Sequence, residues 1–269
     1  MGQGYWVIRT YEAGGIGEKT KFWVEGKRPA KSSRREKTEI RKQEQNEYSA
    51  LKRFARLINE NYVPGDLIVG LDYSDEGIAP ILAAAENIAD EEEAWNTSRA
   101  AATHAMRLYL RRIKRACDKD GVEFKYLAIT SDMDSDTGEV VRLHHHLIMP
   151  SYCLKYLEER WPAGTVNVEP MKVQDDYLQI AEYFLKQVRR VPDEKKYISS
   201  RNLIRPQPKD RIAINDSELR LPKGAKLLNR GEYKPGKPQY IRYIMQDKRF
   251  EHQNHILLNR PAAEPKLQI

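Results

Sequence analysis

Cysteine is almost missing from this chain, with only Cys117 and Cys153 in 269 residues. Two thiols so far apart in sequence can form neither a thiolate zinc cage nor a CxxC redox pair, so free buried thiols in a reducing compartment are expected. No apolar run approaches the roughly 20 residues of a membrane-spanning helix. Residues 1–11 lack the charged start and apolar core of a secretory signal, and a cytoplasmic protein with no membrane partner is expected. No GxxxxGK[ST] run occurs, and no fused P-loop motor is expected. Internal repeats are also lacking.

What is present is charge, at 32% of residues, with apolar residues at 40%. That is polar for a globular chain, but the apolar positions are patterned, which argues against wholesale disorder. Lys and Arg outnumber Asp and Glu by 46 to 39, giving a net charge of +7 and favouring a polyanionic partner. The excess is concentrated. Between Lys27 and Arg56 there are eleven basic residues and four glutamates. A charged helix face is commonly just solvated, but a local excess equal to that of the whole chain suits contact with phosphates.

Residues 5–11 and 19–24 are rich in aromatic and β-branched residues, with Gly14, Gly15 and Gly17 between them, which predicts a hairpin with a loose glycine turn. Helical spacing runs from about 36 to 61, with Tyr48, Leu51, Ala55 and Ile58 on one face. LIVGL at 67–71 predicts a buried strand, residues 95–118 a long helix, and 124–130 and 140–149 an antiparallel pair across an acidic turn. A short helix at 152–160, a strand at 165–170 and a helix at 175–190 follow, the last opened by Asp175 and Asp176 at its positive end. The order β-α-β-β-α-β is that of an α+β, ferredoxin-like (split βαβ) antiparallel sheet with helices on one face. In such a sheet the first and third strands are central, so the third, 140–149, sits mid-sheet. Residues 199–211 read as a basic extended loop and 240–245 as one more strand. The expected division is an N-terminal hairpin and basic helix at 1–62, a core domain at 63–211 and a C-terminal extension at 212–269.

Two features carry chemistry. His144, His145 and His146 lie within the 140–149 strand, so His144 and His146 share a face while His145 points away. Two imidazoles two residues apart can grip one divalent cation, which needs a further oxygen ligand. Asp132, at the end of the preceding strand, is the first candidate, with Glu139 and Asp72 as alternatives. The second feature is Tyr183 with Lys186 three residues on and Gln187 four residues on, along one helix face. A phenol is a weak nucleophile unless a nearby cation or metal assists it. Taken alone, each feature has a bland reading, as surface histidines or as a core aromatic beside a surface lysine.

Together, RLHHHLIM (142–149) followed by AEYFLKQ (181–187) resembles the HUH endonuclease superfamily. Within it the chain looks most like rolling-circle replication initiators of phages and plasmids related to the filamentous phage gene II protein. The likeness extends through GDLIVGLDYSDE (65–76), KYLAITSDMDSDTGEVVRLHHH (125–146) and SSRNLIRPQPK (199–209), covering about residues 65–210. One departure is His145, where the family usually carries a bulky hydrophobic residue. Another is the third ligand, which in the family falls at Ser131 or Asp132. The resemblance implies Mg²⁺ or Mn²⁺ at His144, His146 and Asp132, and Tyr183 attacking single-stranded DNA to give a 5′-phosphotyrosine and a free 3′-OH. Lys186 would position the phosphate. Tyr177, off Tyr183's face, would not be a second nucleophile. Arg34, Arg35, Arg41, Lys42, Arg201, Lys209 and Arg211 would hold single-stranded or origin hairpin DNA, and a separate helicase and a DNA polymerase of the bacterial host or phage would act alongside. A relaxase or single-strand transposase shares this chemistry, and a non-catalytic nucleic-acid-binding module shares the strand order.

Overall fold

The computed structural model describes residues 4–25, 39–157, 160–189 and 195–261; the side chains of 39–45 lie outside the description. The chain is mixed α+β and divides into two units, residues 1–61, 175–178 and 204–258 forming unit 1 and the remainder unit 2. The expected three-part division is therefore replaced. The N-terminal hairpin and the C-terminal segment are not separate extensions but build one sheet, and residues 204–211 belong with them.

In unit 1 the strands β1 (Tyr5–Ala13) and β2 (Ile16–Val24) pair over their full length, flanked by β8 (Lys209–Ala213) on one side and β10 (Gln239–Ile244) with β9 (Lys226–Arg230) on the other. The hairpin turn is tight, not loose. Gly14 and Gly15 alone form it, with φ of 53° and 85°, the double left-handed geometry that matches the twist of a two-residue hairpin. The 209–213 segment, expected to be loop, is a strand because β1 offers it a free edge, pairing Trp6 with Ala213 and Thr10 with Lys209.

Helix α1 (Glu39–Asn61) buries Phe54, Ala55, Leu57 and Ile58. Its basic residues are partly used within unit 1. Arg56 pairs with Glu18 at 2.7 Å and lies 3.5 Å from the centre of the Tyr11 ring. Lys52 sits over the rings of Tyr48 and Tyr240, where burial lowers its pKa to about 8. Arg242, almost fully buried, bridges Glu18 and Asp176, with Nη2 2.7 Å from Asp176 Oδ1. Burial opposes its charge, but the two carboxylates outweigh that and raise its pKa further. Tyr177 is wholly buried under Arg249. Helix α5 (Gln246–Leu258) ends this unit.

Unit 2 is built on the order β6-β3-β5-β4-β7, every neighbouring pair antiparallel: β6 (Gly164–Pro170), β3 (Leu67–Tyr73), β5 (Val140–Met149), β4 (Leu127–Met133) and β7 (Ile198–Ser199). As the patterning requires, β3 and β5 are paired mid-sheet. Alternate residues Val69, Leu71, Leu143, Leu147 and Met149 pack against α3 (Glu91–Lys119) through Ala102, Met106, Tyr109 and Ile113. Asp90 starts that helix by accepting from Glu93 N at 2.8 Å, with three glutamates in the first turn favouring its dipole. Helix α2 (Asp75–Ala83) adds Ile78 and Ile81 to the same core. Cys117 and Cys153 are free thiols buried there. The 152–160 segment forms a 3-10 turn at Ser151–Tyr156.

Helix α4 (Leu178–Lys186) is shorter than its sequence pattern predicts. Asp175 and Asp176 stay outside it because partners in unit 1 claim their carboxylates: Lys226 for Asp175, and Arg242 and Asn59 for Asp176. Nor do all helices share one face of the sheet. Phe184 and Tyr183 of α4 meet His146, on the face opposite α3. Among the described residues no helix is long and apolar enough to cross a membrane.

Removing one partner of a buried ion cluster leaves uncompensated charge. Arg242→Met is expected to lower unfolding stability by about 3–5 kcal/mol, read by urea denaturation.

Candidate active site

The alternation of β5 divides its three histidines. His145 turns into the core, fully buried, where Nε2 meets the Tyr73 hydroxyl at 2.8 Å and the ring packs edge-on against Trp161. Burial first, then the flanking His144 and His146, lower its pKa to about 3. It is a neutral core side chain and takes no part in the opposite face.

His144 and His146 occupy that face. The register places Asp72 and Ser131 beside His144, and Gly70 and Ile129 beside His146. His144 Nδ1 lies 2.9 Å from the Arg142 carbonyl, which can only accept. The Nδ1–H tautomer is thereby set, and Nε2 presents a lone pair. His144 Nε2 stands 3.1 Å from His146 Nε2, which in turn is 2.9 Å from Gln187 Oε1. Burial and His144 lower the pKa of His146 to about 4, against the opposing pull of Gln187 and Asp72, so this imidazole is neutral at neutral pH.

His146 Nε2 thus stands between His144 Nε2 at 3.1 Å and Gln187 Oε1 at 2.9 Å. Adjacent donors around an octahedral cation with bonds of about 2.1 Å stand about 3.0 Å apart. Two imidazole nitrogens and an amide oxygen therefore fit a small divalent cation such as Mg²⁺ or Mn²⁺. Among the described residues no three His, Cys, Asp or Glu side chains stand together in a metal-holding group, so the fit depends on glutamine. Asp72 is the nearest carboxylate in register with His144, and Asn167 donates to its Oδ2 at 2.7 Å.

Gln187 does not stand out in the sequence as a ligand, although its place four residues after Tyr183 is an available signal. The residue is held from several directions. Its amide nitrogen donates to the Tyr183 carbonyl at 3.1 Å, and the Ser131 hydroxyl lies 3.2 Å from Oε1. Its own carbonyl accepts from Asp132 N at 3.0 Å and Met133 N at 3.1 Å. The end of α4 is thereby fastened to the end of β4.

Asp132, the first candidate for the third ligand, requires correction. Its carboxylate is fully buried elsewhere, accepting from Arg189 N at 2.7 Å and Trp95 Nε1 at 3.1 Å, with Arg99 Nε at 3.8 Å. A register irregularity between Ser131 and Met133 accompanies this placement, and the strand partner of His144 is Ser131 instead. Glu139 lies in the exposed turn before β5, five residues from His144, about 16 Å of extended chain.

Tyr183 is 47% exposed, and its ring centroid lies 5.9 Å from that of His146. Phe184 beside it is buried, 5.6 Å from the same imidazole. Lys186, at the end of α4, pairs with Glu182 at 3.1 Å on the exposed side of the helix. An exposed pair of this kind holds weakly and can be exchanged for another anion. Of the remaining expected residues, Arg201 is exposed in unit 2, while Lys209 and Arg211 are exposed on β8 of unit 1. Arg34 and Arg35 lie outside the described residues, as do the side chains of Arg41 and Lys42. Comparison with protein-family models, curated proteins and solved structures returned no match.

Asp132→Ala would leave Arg189 N, Trp95 and Arg99 without their shared acceptor. It is expected to cost about 3 kcal/mol of stability in metal-free protein, measured by denaturant titration. Loss of Mn²⁺ binding without loss of stability would instead mark Asp132 as a ligand.

Proposed function

We propose that this protein is a single-strand DNA endonuclease of the HUH type, an initiator of rolling-circle replication that stays joined to the strand it cuts. The observation that carries this reading is the convergence of His144 Nε2, His146 Nε2 and Gln187 Oε1 beside the half-exposed ring of Tyr183. The order β6-β3-β5-β4, with the histidine strand central, supports the ferredoxin-like form of the fold on which such a site is expected.

His144, His146 and Gln187 would hold Mg²⁺ or Mn²⁺, which supplies Lewis-acid polarisation of a non-bridging phosphate oxygen. The protein's own groups do the rest. The Tyr183 hydroxyl oxygen attacks phosphorus in line. A Tyr–O–P bond forms, the P–O3′ bond breaks, and the phenolic proton ends on the departing 3′ oxygen through solvent. The products are a 5′-phosphotyrosine and a free 3′-OH, one phosphodiester bond exchanged for another, so resealing needs no ATP. Lys186, released from Glu182, is placed to balance phosphate charge. The primer end would pass to a polymerase, and unwinding to a separate helicase.

The test is a pool of 3′-labelled single-stranded oligonucleotides with a randomised centre, incubated with the full chain and MnCl₂ and run on a denaturing gel. A labelled covalent adduct is expected, and Tyr183→Phe is expected to abolish it. Sequencing the captured strands gives the nick site. Binding without adduct at any metal concentration would mark a nucleic-acid-binding module and sink the enzymatic reading. Calorimetry provides the separate metal readout: Gln187→Ala is expected to weaken Mn²⁺ binding by about tenfold or more.

A further inference from the structure

Charge is divided unequally between the two units. Unit 1 contains 26 Lys and Arg against 16 Asp and Glu; the rest of the chain, which holds the histidine site, contains 20 against 23. The unit proposed to cut a polyanion is thus itself slightly acidic, and the attraction for phosphate resides in the other.

Within unit 1 the two faces of the sheet differ. On one face the cations have carboxylate partners: Arg9 with Asp210, and Arg242 with Glu18, which also takes Arg56 of the covering helix. The register fixes what the other face carries, since residues opposite one another share a side. Lys209, Thr10 and Lys19 form one row across β8, β1 and β2. Arg211, Ile8 and Lys21 form the next, of which Ile8 and Lys21 are buried against Leu219 and Asp216 and Arg211 alone is exposed; Ala213, Trp6 and Trp23 form the third, and Glu12 with Gly17 lies beyond Thr10 at the opposite end. Lys21 is held by Asp216 at 2.9 Å and the Ser217 carbonyl. Lys19 reaches the Arg220 carbonyl, at 3.4 Å, and lies 5.5 Å from the centre of the Tyr243 ring, and among the described residues no carboxylate pairs with Lys19, Lys209 or Arg211 within ion-pair distance. Burial, then the adjacent Arg211, depress the Lys19 ammonium pKa, with Glu12 opposing. Three cations held together against the single nearby carboxylate of Glu12 leave a net positive patch, complementary to an anion. Lys209 and Arg211, both exposed, stand about 7 Å apart along one strand. At the end of the face Trp23 is 48% exposed, its ring centroid 5.4 Å from that of Trp6.

We propose that the exposed margin of this face, along β8 and the outer part of β2, is a second DNA-binding surface, on which Lys19, Lys209 and Arg211 hold the phosphates of a single strand and Trp23 stacks on a base. A row of cations ending in an indole suits a strand with unpaired bases, because a duplex offers no free base face for stacking. The choice of DNA as the polyanion rests on the nicking function proposed above. Lys19, Trp6 and Trp23 enter only through the pairing of β1 and β2 with β8.

The test uses the full chain carrying Tyr183→Phe, so that binding is read without the covalent step, and a labelled oligothymidylate of about 30 nucleotides, followed by fluorescence anisotropy across a salt series. Lys19→Gln with Lys209→Gln and Arg211→Gln is expected to raise Kd at least tenfold. The slope of log Kd against log salt should become shallower by about two, near 0.7 for each phosphate no longer neutralised. The double variant Lys209→Gln with Arg211→Gln, confined to exposed positions, guards against misfolding and is expected to show an intermediate loss. Trp23→Ala is expected to weaken the oligothymidylate but not a duplex of equal length. Unchanged affinity and salt slope in the triple variant would overturn the proposal. So would tighter binding of the duplex together with no effect of Trp23→Ala. Failure of the nicking function is seen separately, as a missing adduct in the wild-type chain.

Discussion

The candidate site depends on how the end of α4 is tied to the end of β4. The Gln187 carbonyl receives the backbone N–H of Asp132 and of Met133, and the buried Asp132 carboxylate receives Arg189 N two residues on. The tie is made of three backbone N–H bonds, the shortest of them, at 2.7 Å, to a charged acceptor, and a bond to a charged group is costly to break. It sets where the helix stops and thus where Tyr183 stands, a turn earlier. It also aims the Gln187 amide, with nitrogen turned to the Tyr183 carbonyl and oxygen turned to His146. The proposed ligand Gln187 and the proposed nucleophile Tyr183 are positioned by one local structure, so neither is free to drift relative to the other.

The sheet contributes the second half of this order. β5 is paired on both sides, and a slip of one residue would exchange His145 for His144 and His146. The core prevents that slip. His145 is the one imidazole that the interior accommodates, because Tyr73 meets its Nε2 and Trp161 and Tyr73 surround its ring. A polar residue in an apolar position is thereby made a register marker, and the two imidazoles facing outward inherit its precision. The neutrality of His146 follows from its burial, which weakens any charge there.

The two units differ in charge. The residues of the unit that contains the histidines sum to a slight acidic excess, whereas the other unit, built from both ends of the chain, is basic, and that is where the proposed DNA contacts lie. The apparent concentration of charge at 27–56 described only part of this, since Arg56 and Lys52 are occupied by Glu18, Tyr48, Tyr240 and Tyr11, whereas Lys209 and Arg211, far along the sequence on β8, stand exposed and, among the described residues, without carboxylate partners.

Local pattern was sufficient for the elements and for one half of the site. A period of two residues determines that His144 and His146 share a face and that His145 does not, and a period of 3.6 gives α3 its buried stripe from Ala102 to Ile113. Both follow from backbone geometry within a single element. Gln187 became visible as a neighbour of the histidines only in three dimensions, and the choice among Asp72, Ser131, Asp132 and Glu139 was likewise made there, because strand register and the placement of a helix end depend on residues far apart in the chain. The same holds for Asp132, whose one-residue difference from Ser131 turns it toward Trp95 and Arg189 at an irregular point in β4. The shared sheet of the two chain ends was likewise beyond the sequence, for pairing between β1 and β8, some 200 residues apart, leaves no periodic trace. Sequence determined which side chains could act together along each element; tertiary structure decided which of them meet, since that choice is made by long-range packing that no local repeat records.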